Sequence, residues 1–435
     1  MELLVIFFAI CLQVFLTYKK LSPFLSLLVV AILSGLFLGM EPMQVLKSIE
    51  KGVGNTLGGL VLIICLGAAL GKILEAGGAI AQIASTLMQA FGQKYIQWAL
   101  LLTGFLVGIP LYYNAGFVIL VPLVFSIADK AKLPLLYIAI PTAASLSATH
   151  CFLPPHPSPV FLVNAFHANM GKTLIYGLII TVPVVLIAGP LLGRLLKNVE
   201  VNVRSFFLSA EVKTEKLPAA FPSFLAGLLP VLLITLGVIA DHFMPDQLLK
   251  KLFVFTGDPT IALLLSVFFA IACFGPRNGK TMETSMKWLN EAVGGIAVIL
   301  IIITAGGVFK QVLQDSGTDK YIASFSGRWH MPPLLFGWVV TALLRVAIGS
   351  ATVAGITAAG VVTPLVASGA VSPELMVLAV GTGSVFGSHI NDSGFWMFKE
   401  FFNLTLKQTF LSWTVMETTI SLLGLAGVLI FDMIV

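Results

Sequence analysis

The stretch of sequence that decides the fold lies between residues 147 and 157 and reads SATHCFLPPHP. It interrupts an apolar segment, 134–166, that is otherwise long enough to cross a membrane. Three of its last four residues are proline, and each proline lacks a backbone donor and clashes with the preceding turn of a helix. A second interruption, GSHINDSG at 387–394, divides another segment, 374–403. We therefore predict two broken helices, 134–166 and 374–403.

The composition places these segments in a membrane protein. The 435 residues are 58% hydrophobic and only 10% charged, with a net charge of +5, and the mean hydropathy is +1.00. Soluble proteins carry about 25% charged residues, so a soluble enzyme, a nucleic-acid-binding protein and a disordered chain are excluded. The apolar runs are continuous rather than alternating, which argues against an outer-membrane barrel. We predict an all-α polytopic membrane protein.

Positive charges set the predicted orientation. Lys19 and Lys20 follow the first apolar run, 2–17, whereas a signal peptide carries its positive charge in front of the apolar run. By the positive-inside rule this run is a span whose N-terminus lies outside. The basic loop 194–220 is then cytoplasmic, and the C-terminus also lies outside. We expect a multi-pass protein of a bacterial inner membrane.

Two pairs of apolar runs are too short to be full crossings, which need about 20 residues each. In the first pair, 97–107 and 115–127 are separated by GIPLYYN, and both flanks carry charges expected in the cytoplasm. We predict re-entrant hairpins at 97–127 and 333–368. Outside the hairpins the chain has about ten transmembrane helices by the span rule.

The second half of the chain repeats the first. Three landmarks recur in the same order, at Gly58-Gly59, Gly71 and His150 in the first half and at Gly294-Gly295, Gly307 and His389 in the second. By the loop charges, the first copy begins outside the membrane and the second begins inside. The sequence therefore predicts an inverted-topology repeat.

Inverted repeats with broken helices are typical of secondary transporters. Non-helical backbone at membrane depth is tolerated only where protein, water or substrate satisfies its polar groups. The N-termini of half-helices offer N–H donors and partial positive charge to an anion. One break alone could be a packing kink, but four interruptions in symmetric positions favour a shared substrate site. We assign 1–96 and 221–332 to a scaffold, and 97–193 and 333–435 to a transport domain.

Two charged residues are the leading candidates for the chemistry of this site. Arg345 lies in an apolar arm of the second hairpin, where an arginine costs about 2.5–17 kcal/mol and needs a cavity or a partner. A guanidinium binds a carboxylate with two parallel hydrogen bonds, so we predict that Arg345 holds a substrate carboxylate. The alternative is a structural pair with an acid such as Asp392. Asp392 lies in the second break, where it suits a proton carrier; cation coordination with Asn391 and Ser388 is the competing role.

Other polar residues lie in the hairpin tips and the breaks. Histidines titrate near neutrality, and the candidates for proton coupling are Asp392, His150, His389 and His156. The candidates for binding the substrate are Arg345, Ser350, Thr352, Asn114, Tyr113, Thr149, Ser388 and Asn391. The alternatives are structural histidines and ordinary helix caps. We predict no metal site and no cofactor, and no P-loop supports an ATP-driven pump.

At several of these residues the chain resembles the gluconate permease (gluconate:proton symporter) family. The resembling segments are LPPHP at 153–157, AGGVF at 305–309, GSATVA at 349–354, SHINDSGFW at 388–396 and WTVMET at 413–418. The resemblance runs over nearly the whole chain, and the GSATVA and SH-x-ND-x-GFW runs are its specific part. Two residues depart from the family pattern: Asn114 stands where relatives often carry an acid, and Ser158 stands where they often carry glycine.

The resemblance implies import of a small hydroxylated monocarboxylate with protons, most often gluconate or a related sugar acid. Some relatives carry D-serine or fructuronate, and coupling to Na⁺ is an alternative. It also implies an architecture similar to elevator-type carboxylate transporters, which are usually homodimers. The partners expected are therefore an organic anion, a proton, the lipid bilayer and a second copy of the chain, with no nucleic acid.

Two other classes of function remain as alternatives. An intramembrane enzyme would use Ser388, His389 and Asp392 as a nucleophilic set, but these side chains lie close together on one loop and are expected to diverge. A channel would not need two symmetric breaks suited to a carboxylate. Saturable uptake that follows pH would argue against the channel.

Overall fold

A computed structural model describes residues 2–199, 201, 217–245, 248–276, 279–317 and 331–434. Every regular element in these residues is a helix, which confirms the predicted all-α class. Most of the predicted cytoplasmic loop 194–220 lies outside the described residues. Within that loop, the preceding helix continues as far as Leu195.

The first quarter of the chain forms four helices: α1 (Glu2–Tyr18), α2 (Pro23–Phe37), α3 (Pro42–Ala76) and α4 (Ala79–Phe91). Helix α3 is 35 residues long, much longer than the about 20 residues that one crossing needs. Its first turns mix polar and apolar residues, so they give no continuous apolar run, but Pro42 starts the helix and nothing breaks it before Gly77. Helix α4 was not predicted.

The first hairpin and the first broken helix follow. Their elements are α5 (Ile96–Gly108), α6 (Tyr113–Ala131), α7 (Leu135–Phe152), α8 (Pro157–Phe166) and α9 (Met170–Leu195). The break is narrower than predicted, because residues 147–152 remain helical. Only 153–156 leave the helix: Leu153 precedes a proline and takes an extended conformation, with φ −108° and ψ 129°. His150 therefore lies on α7 and not in the break.

After the undescribed loop residues come α10 (Ala220–Phe243), α11 (Leu248–Thr256), α12 (Pro259–Phe274) and α13 (Met282–Asp315). Helices α11 and α12 meet at an angle of 72° across a short break. Helix α11 was not predicted. Several large apolar side chains of α10 are exposed, among them Phe221, Leu232 and Leu236, as expected of a surface that faces lipid.

The last part of the chain repeats the order of hairpin, broken helix and long helix. Its elements are α14 (Pro333–Ile348), α15 (Ala351–Ala367), α16 (Pro373–Gly383), α17 (Ser393–Phe401) and α18 (Leu406–Asp432). The second break runs from Ser384 to Asp392, so it starts three residues before the predicted 387–394. His389 lies inside this break, unlike its sequence counterpart His150.

Six helices in the described residues are long and apolar enough to cross a membrane, or seven if the bent pair α11–α12 is counted as one span. Shorter apolar helices include α2, α4, α14 and α15. The protein is therefore a multi-pass membrane protein. The count of ten crossings and the inverted orientation stay predictions.

Two long helices, α3 and α13, pack along each other with a very close backbone approach. A Cβ atom added at Gly52 would lie 2.7 Å from Cα of Val308, and one added at Gly307 would lie 1.8 Å from the hydroxyl of Thr56. Small residues at such contacts let membrane helices pack closely. The first half of the first broken helix lies deep in the interior: every residue of α7 is buried except Tyr137 and His150, which are half-buried.

Candidate functional site

Four helix N-termini line one cavity of about 210 Å³. They belong to the second arms of the two hairpins, α6 and α15, and to the second halves of the two broken helices, α8 and α17. The residues that they contribute include Asn114, Pro157, Thr352 and Ser393. Because the N-terminus of a helix carries free N–H groups and partial positive charge, this cavity suits an anion.

The tip of the second hairpin is held against the second break. Gly349 ends α14 with φ +83°, a conformation that favours glycine, and a Cβ atom there would lie 2.2 Å from the carbonyl oxygen of Asn391. The side-chain amide of Asn391 donates to the carbonyl oxygen of Val346 at 2.7 Å. Glycine at this position therefore lets the tip and the break meet at one wall of the cavity.

Arg345 and Asp392 form a buried ion pair on this wall. Nη2 of Arg345 lies 2.5 Å from Oδ2 of Asp392, and the two side chains are 3% and 13% exposed. Oδ2 also accepts from the hydroxyl of Ser388 at 2.5 Å, and Oδ1 accepts from the N–H of Gly394 at 2.9 Å. Trp413 completes the chain of hydrogen bonds by donating to the Ser388 hydroxyl at 2.7 Å. The alternative reading of Arg345, a pair with Asp392, is thus present in the structure.

The ion pair uses only one of the three guanidinium nitrogens. Nε and Nη1 of Arg345 are buried and have no hydrogen-bond partner in the protein. An unsatisfied buried donor costs roughly 1–3 kcal/mol, and more when it is charged. Each of these nitrogens has an N–H that an anion could accept from while Nη2 stays with Asp392, so the ion pair and a bound anion are compatible.

Glu417 is a second buried carboxyl group in the cavity, and the sequence reading assigned it no role. It lies on α18 and is 2% exposed. Its Oε2 accepts from the hydroxyl of Ser147 on α7 at 2.9 Å, while Oε1 is buried without a hydrogen-bond partner. The sequence signal that could have identified Glu417 is an acid in the interior of a long apolar helix, because ionisable residues inside membrane segments are usually functional.

Two histidines lie beside the first break. Nδ1 of His150 is 3.3 Å from Nδ1 of His156, and Nε2 of His156 is 2.7 Å from the carbonyl oxygen of Gly108. Since a carbonyl only accepts, Nε2 of His156 carries a hydrogen. With His156 neutral, its Nδ1 then accepts a hydrogen bond from His150. His150 lines the cavity, whereas His156 lies behind it.

The structure brings together seven of the predicted residues around the cavity: Arg345, Ser350, Thr352, Asn114, Tyr113, Asp392 and His150. The other five lie elsewhere. Thr149 is buried and donates to Ser145 within its own helix. Ser388 donates a hydrogen bond to Asp392, and Asn391 donates one to the hairpin tip at Val346. His156 contacts His150, and Nδ1 of His389 lies 2.9 Å from the carbonyl oxygen of Gly387. The cavity residues that the prediction missed are Tyr112, Ser147, Cys151, Trp413 and Glu417.

The side chains around the cavity have no arrangement suited to a metal ion. In the part of the chain that the structure describes, no group of three His, Cys, Asp or Glu residues could hold one. The polar groups of the cavity are a guanidinium, two carboxyl groups, hydroxyls, an amide and an imidazole. This set is suited to binding a hydroxylated anion and exchanging protons.

The sequence is similar to known transporters over almost its whole length. It is 48% identical over 418 residues to a high-affinity gluconate transporter of Escherichia coli K12, a match that covers 96% of this chain and 95% of that one. It is 47% identical over 412 residues to the Gnt-II system L-idonate transporter of the same organism, with 94% of each chain covered. A gluconate permease of Bacillus subtilis 168 is 39% identical over 428 residues, with 96% of each chain covered.

Two solved structures share the fold. The YdaH transporter of Alcanivorax borkumensis superposes with a TM-score of 0.71 at 17% identity, covering 97% of this chain and 98% of that one. MtrF of Neisseria gonorrhoeae superposes with a TM-score of 0.73 at 14% identity, covering 95% and 96% of the two chains. At these identities the likeness concerns the fold alone.

These relatives are named as transporters and permeases, so the protein is a membrane permease and not an enzyme. The family model described as GntP family permease matches residues 1–434 of this chain. This match confirms the family predicted from the GSATVA and SH-x-ND-x-GFW runs: the chain belongs to the GntP family of permeases.

Proposed function

We propose that this permease imports a sugar acid such as gluconate together with a proton across the bacterial inner membrane. Its relatives at 47–48% identity are named for gluconate and L-idonate, which supports a sugar acid as the substrate. The observation that carries the proposal is Arg345, which lines a cavity built from helix N-termini and has two nitrogens without a protein partner. The cavity is about 210 Å³, below the range of about 300–1,000 Å³ typical of sites for drug-sized ligands, so it suits a small solute.

The substrate carboxylate accepts from a free N–H of Arg345, at Nη1 or at Nε, while Nη2 stays with Asp392. The hydroxyls of the sugar acid meet Ser350, Thr352, Asn114 and Tyr113, and the Tyr113 hydroxyl is buried without a protein partner. Hydrogen bonds to several substrate hydroxyls discriminate strongly against analogues that lack them. A polyhydroxylated acid is therefore preferred over lactate.

Asp392 orients Arg345 in this scheme. It accepts three hydrogen bonds, from Arg345, Ser388 and Gly394, and it lies next to a permanent positive charge. This supports a positioning role for Asp392 and leaves the coupling proton to another group in the cavity.

Transport follows alternating access of the elevator type. Residues 97–193 and 333–435 move as the transport domain against a scaffold of 1–96 and 221–332, and the two copies are oppositely oriented in the membrane. The close packing of α3 against α13 supports a rigid scaffold. A homodimer, the assembly common in related architectures, would anchor that scaffold.

The test is uptake into proteoliposomes that contain the purified protein. The panel is gluconate, L-idonate, fructuronate, D-serine and lactate, each with an imposed pH gradient, an imposed Na⁺ gradient or neither. We expect saturable gluconate uptake driven by the pH gradient. One anion with one proton is electroneutral, so accumulation approaches about tenfold per pH unit. If the Na⁺ gradient alone drives uptake, the coupling ion is Na⁺ and not a proton. Uptake that does not saturate would favour a channel.

A further inference from the structure

We infer that Glu417 is the group that binds the coupling proton, and that it does so together with the substrate anion. The inference rests on the proposed proton symport. Glu417 lines the same cavity as Arg345, and one of its oxygens is buried without a partner. The cavity thus holds one carboxyl group that is fully paired, Asp392, and one that is not.

The surroundings of Glu417 supply little to stabilise a negative charge. Ser147 donates one hydrogen bond to Oε2, and the residue is 2% exposed to solvent. Among the described residues that line the cavity, Arg345 is the only arginine or lysine, and it already pairs with Asp392. The titratable or charged groups that act on Glu417 or share its cavity are Tyr112, Tyr113, His150, Cys151, Arg345 and Asp392.

A proton on Glu417 and an anion on Arg345 favour each other. In the empty cavity, Arg345 and Asp392 balance to zero net charge. A substrate carboxylate adds one negative charge, and a charged Glu417 would repel it across a cavity of this size. A proton on Glu417 removes that repulsion and provides an O–H that can donate to the substrate. By linkage, the substrate then raises the proton affinity of the site by the same factor as the proton raises the substrate affinity.

The balance of charge fits symport. The protein gains one proton on a Glu417 oxygen and one monovalent anion beside Arg345, so the loaded cavity has the same net charge as the empty cavity with Glu417 deprotonated. On the inner side the proton leaves Glu417 and the anion leaves Arg345. No bond within the substrate forms or breaks.

Ser147 also connects the two halves of the transport domain through this group. It lies on α7, which belongs to the first copy, and Glu417 lies on α18, which belongs to the second. The hydrogen bond therefore spans 270 residues of sequence. Protonation of Glu417 changes a contact between the two copies as well as the charge of the cavity.

The test compares wild type with Glu417→Gln in proteoliposomes by two assays. Gluconate counterflow needs no driving gradient, whereas accumulation under a pH gradient needs the coupling proton. Glutamine resembles the protonated acid, so the variant should keep counterflow within about threefold of wild type. It should lose pH-driven accumulation, from about tenfold per pH unit to none. The matched control is Glu75→Gln, since Glu75 pairs with Lys72 on α3 outside the cavity, and it should behave like wild type.

Each outcome decides a different claim. If wild type itself shows no pH-driven accumulation, the proposed proton symport fails. If wild type accumulates gluconate and Glu417→Gln does so equally, the role of Glu417 fails while symport stands. Folded Glu417→Gln that no longer binds gluconate would also overturn the role, because a permanent mimic of the protonated acid must bind.

A second variant tests the same assignment if Glu417→Gln does not fold. Ser147→Ala removes only the hydroxyl that donates to the carboxyl group. Because that hydrogen bond favours the charged carboxylate, the profile of gluconate binding against pH should move to higher pH. An unmoved profile in Ser147→Ala overturns the assignment of the proton to Glu417.

Discussion

The substitution Arg345→Lys tests the substrate site at its strongest contact. Arginine can offer a free N–H of Nε or Nη1 to the substrate carboxylate while Nη2 stays with Asp392 at 2.5 Å. A lysine keeps the positive charge, but its single ammonium nitrogen cannot reproduce the planar guanidinium contacts to both the substrate and Asp392. At least one hydrogen bond to a charged group is lost, and such a bond contributes about 1.5–3 kcal/mol.

This loss corresponds to about 10- to 150-fold weaker gluconate binding, at tenfold per 1.4 kcal/mol. Arg345→Ala loses both bonds and leaves Asp392 without its cation, so binding should fall by more than about 100-fold. The assay is direct gluconate binding to purified protein, with monodispersity and thermal unfolding as checks of folding. Arg194→Lys is the matched control, because Arg194 is exposed near the end of α9.

A result within about twofold of wild type for Arg345→Lys would refute the reasoning. It would show that the carboxylate does not use the two free nitrogens. Arg345 would then serve only as the structural partner of Asp392.

Two glycine substitutions test the backbone contacts that shape the site. Gly349→Ala should abolish uptake and destabilise the protein by more than about 1 kcal/mol. The reasons are that φ is +83° and that the new Cβ lies 2.2 Å from a backbone oxygen of the second break. The control is Gly39→Ala: its φ of +86° is similar, but nothing lies within 4 Å of the new Cβ, so uptake should stay normal. Gly307→Ala should lower the thermal unfolding temperature and the uptake rate, because a Cβ there would approach Thr56 to 1.8 Å and force α3 and α13 apart. The control is Gly294→Ala, on the same helix with open space around it; its unfolding temperature and uptake rate should match those of wild type. A destabilised Gly294→Ala, or a normal Gly349→Ala, would contradict these packing arguments.

The class of the fold could be predicted from the sequence because the bilayer directly constrains the composition and the length of the apolar runs. The extra length of α3 could not, since its first turns are not apolar and their helical structure depends on packing against α13. The extent of the first break was overestimated for a similar reason. Proline restricts the residue just before it, but Pro154 does not unwind the helix four residues earlier at His150.

The candidate site was predictable where charge was out of place in an apolar segment. Arg345 and Asp392 stood out in this way, and both line the cavity. Glu417 gave the same signal but lies far from either break in the sequence. Its contact with Ser147 joins residues 270 positions apart, and such contacts follow from the tertiary fold. Thr149 and Ser388 were predicted from their position near the breaks, yet local turn geometry directs their hydroxyls into protein hydrogen bonds.

The central claim is that four helix N-termini and Arg345 receive the carboxylate of a sugar acid. The most direct measurement is an experimental structure of the protein with gluconate bound. The account predicts carboxylate density within hydrogen-bond distance of Nη1 or Nε of Arg345, with the sugar hydroxyls toward Ser350 and Thr352. Gluconate bound at another place, with the Arg345 nitrogens facing only protein or water, would contradict it.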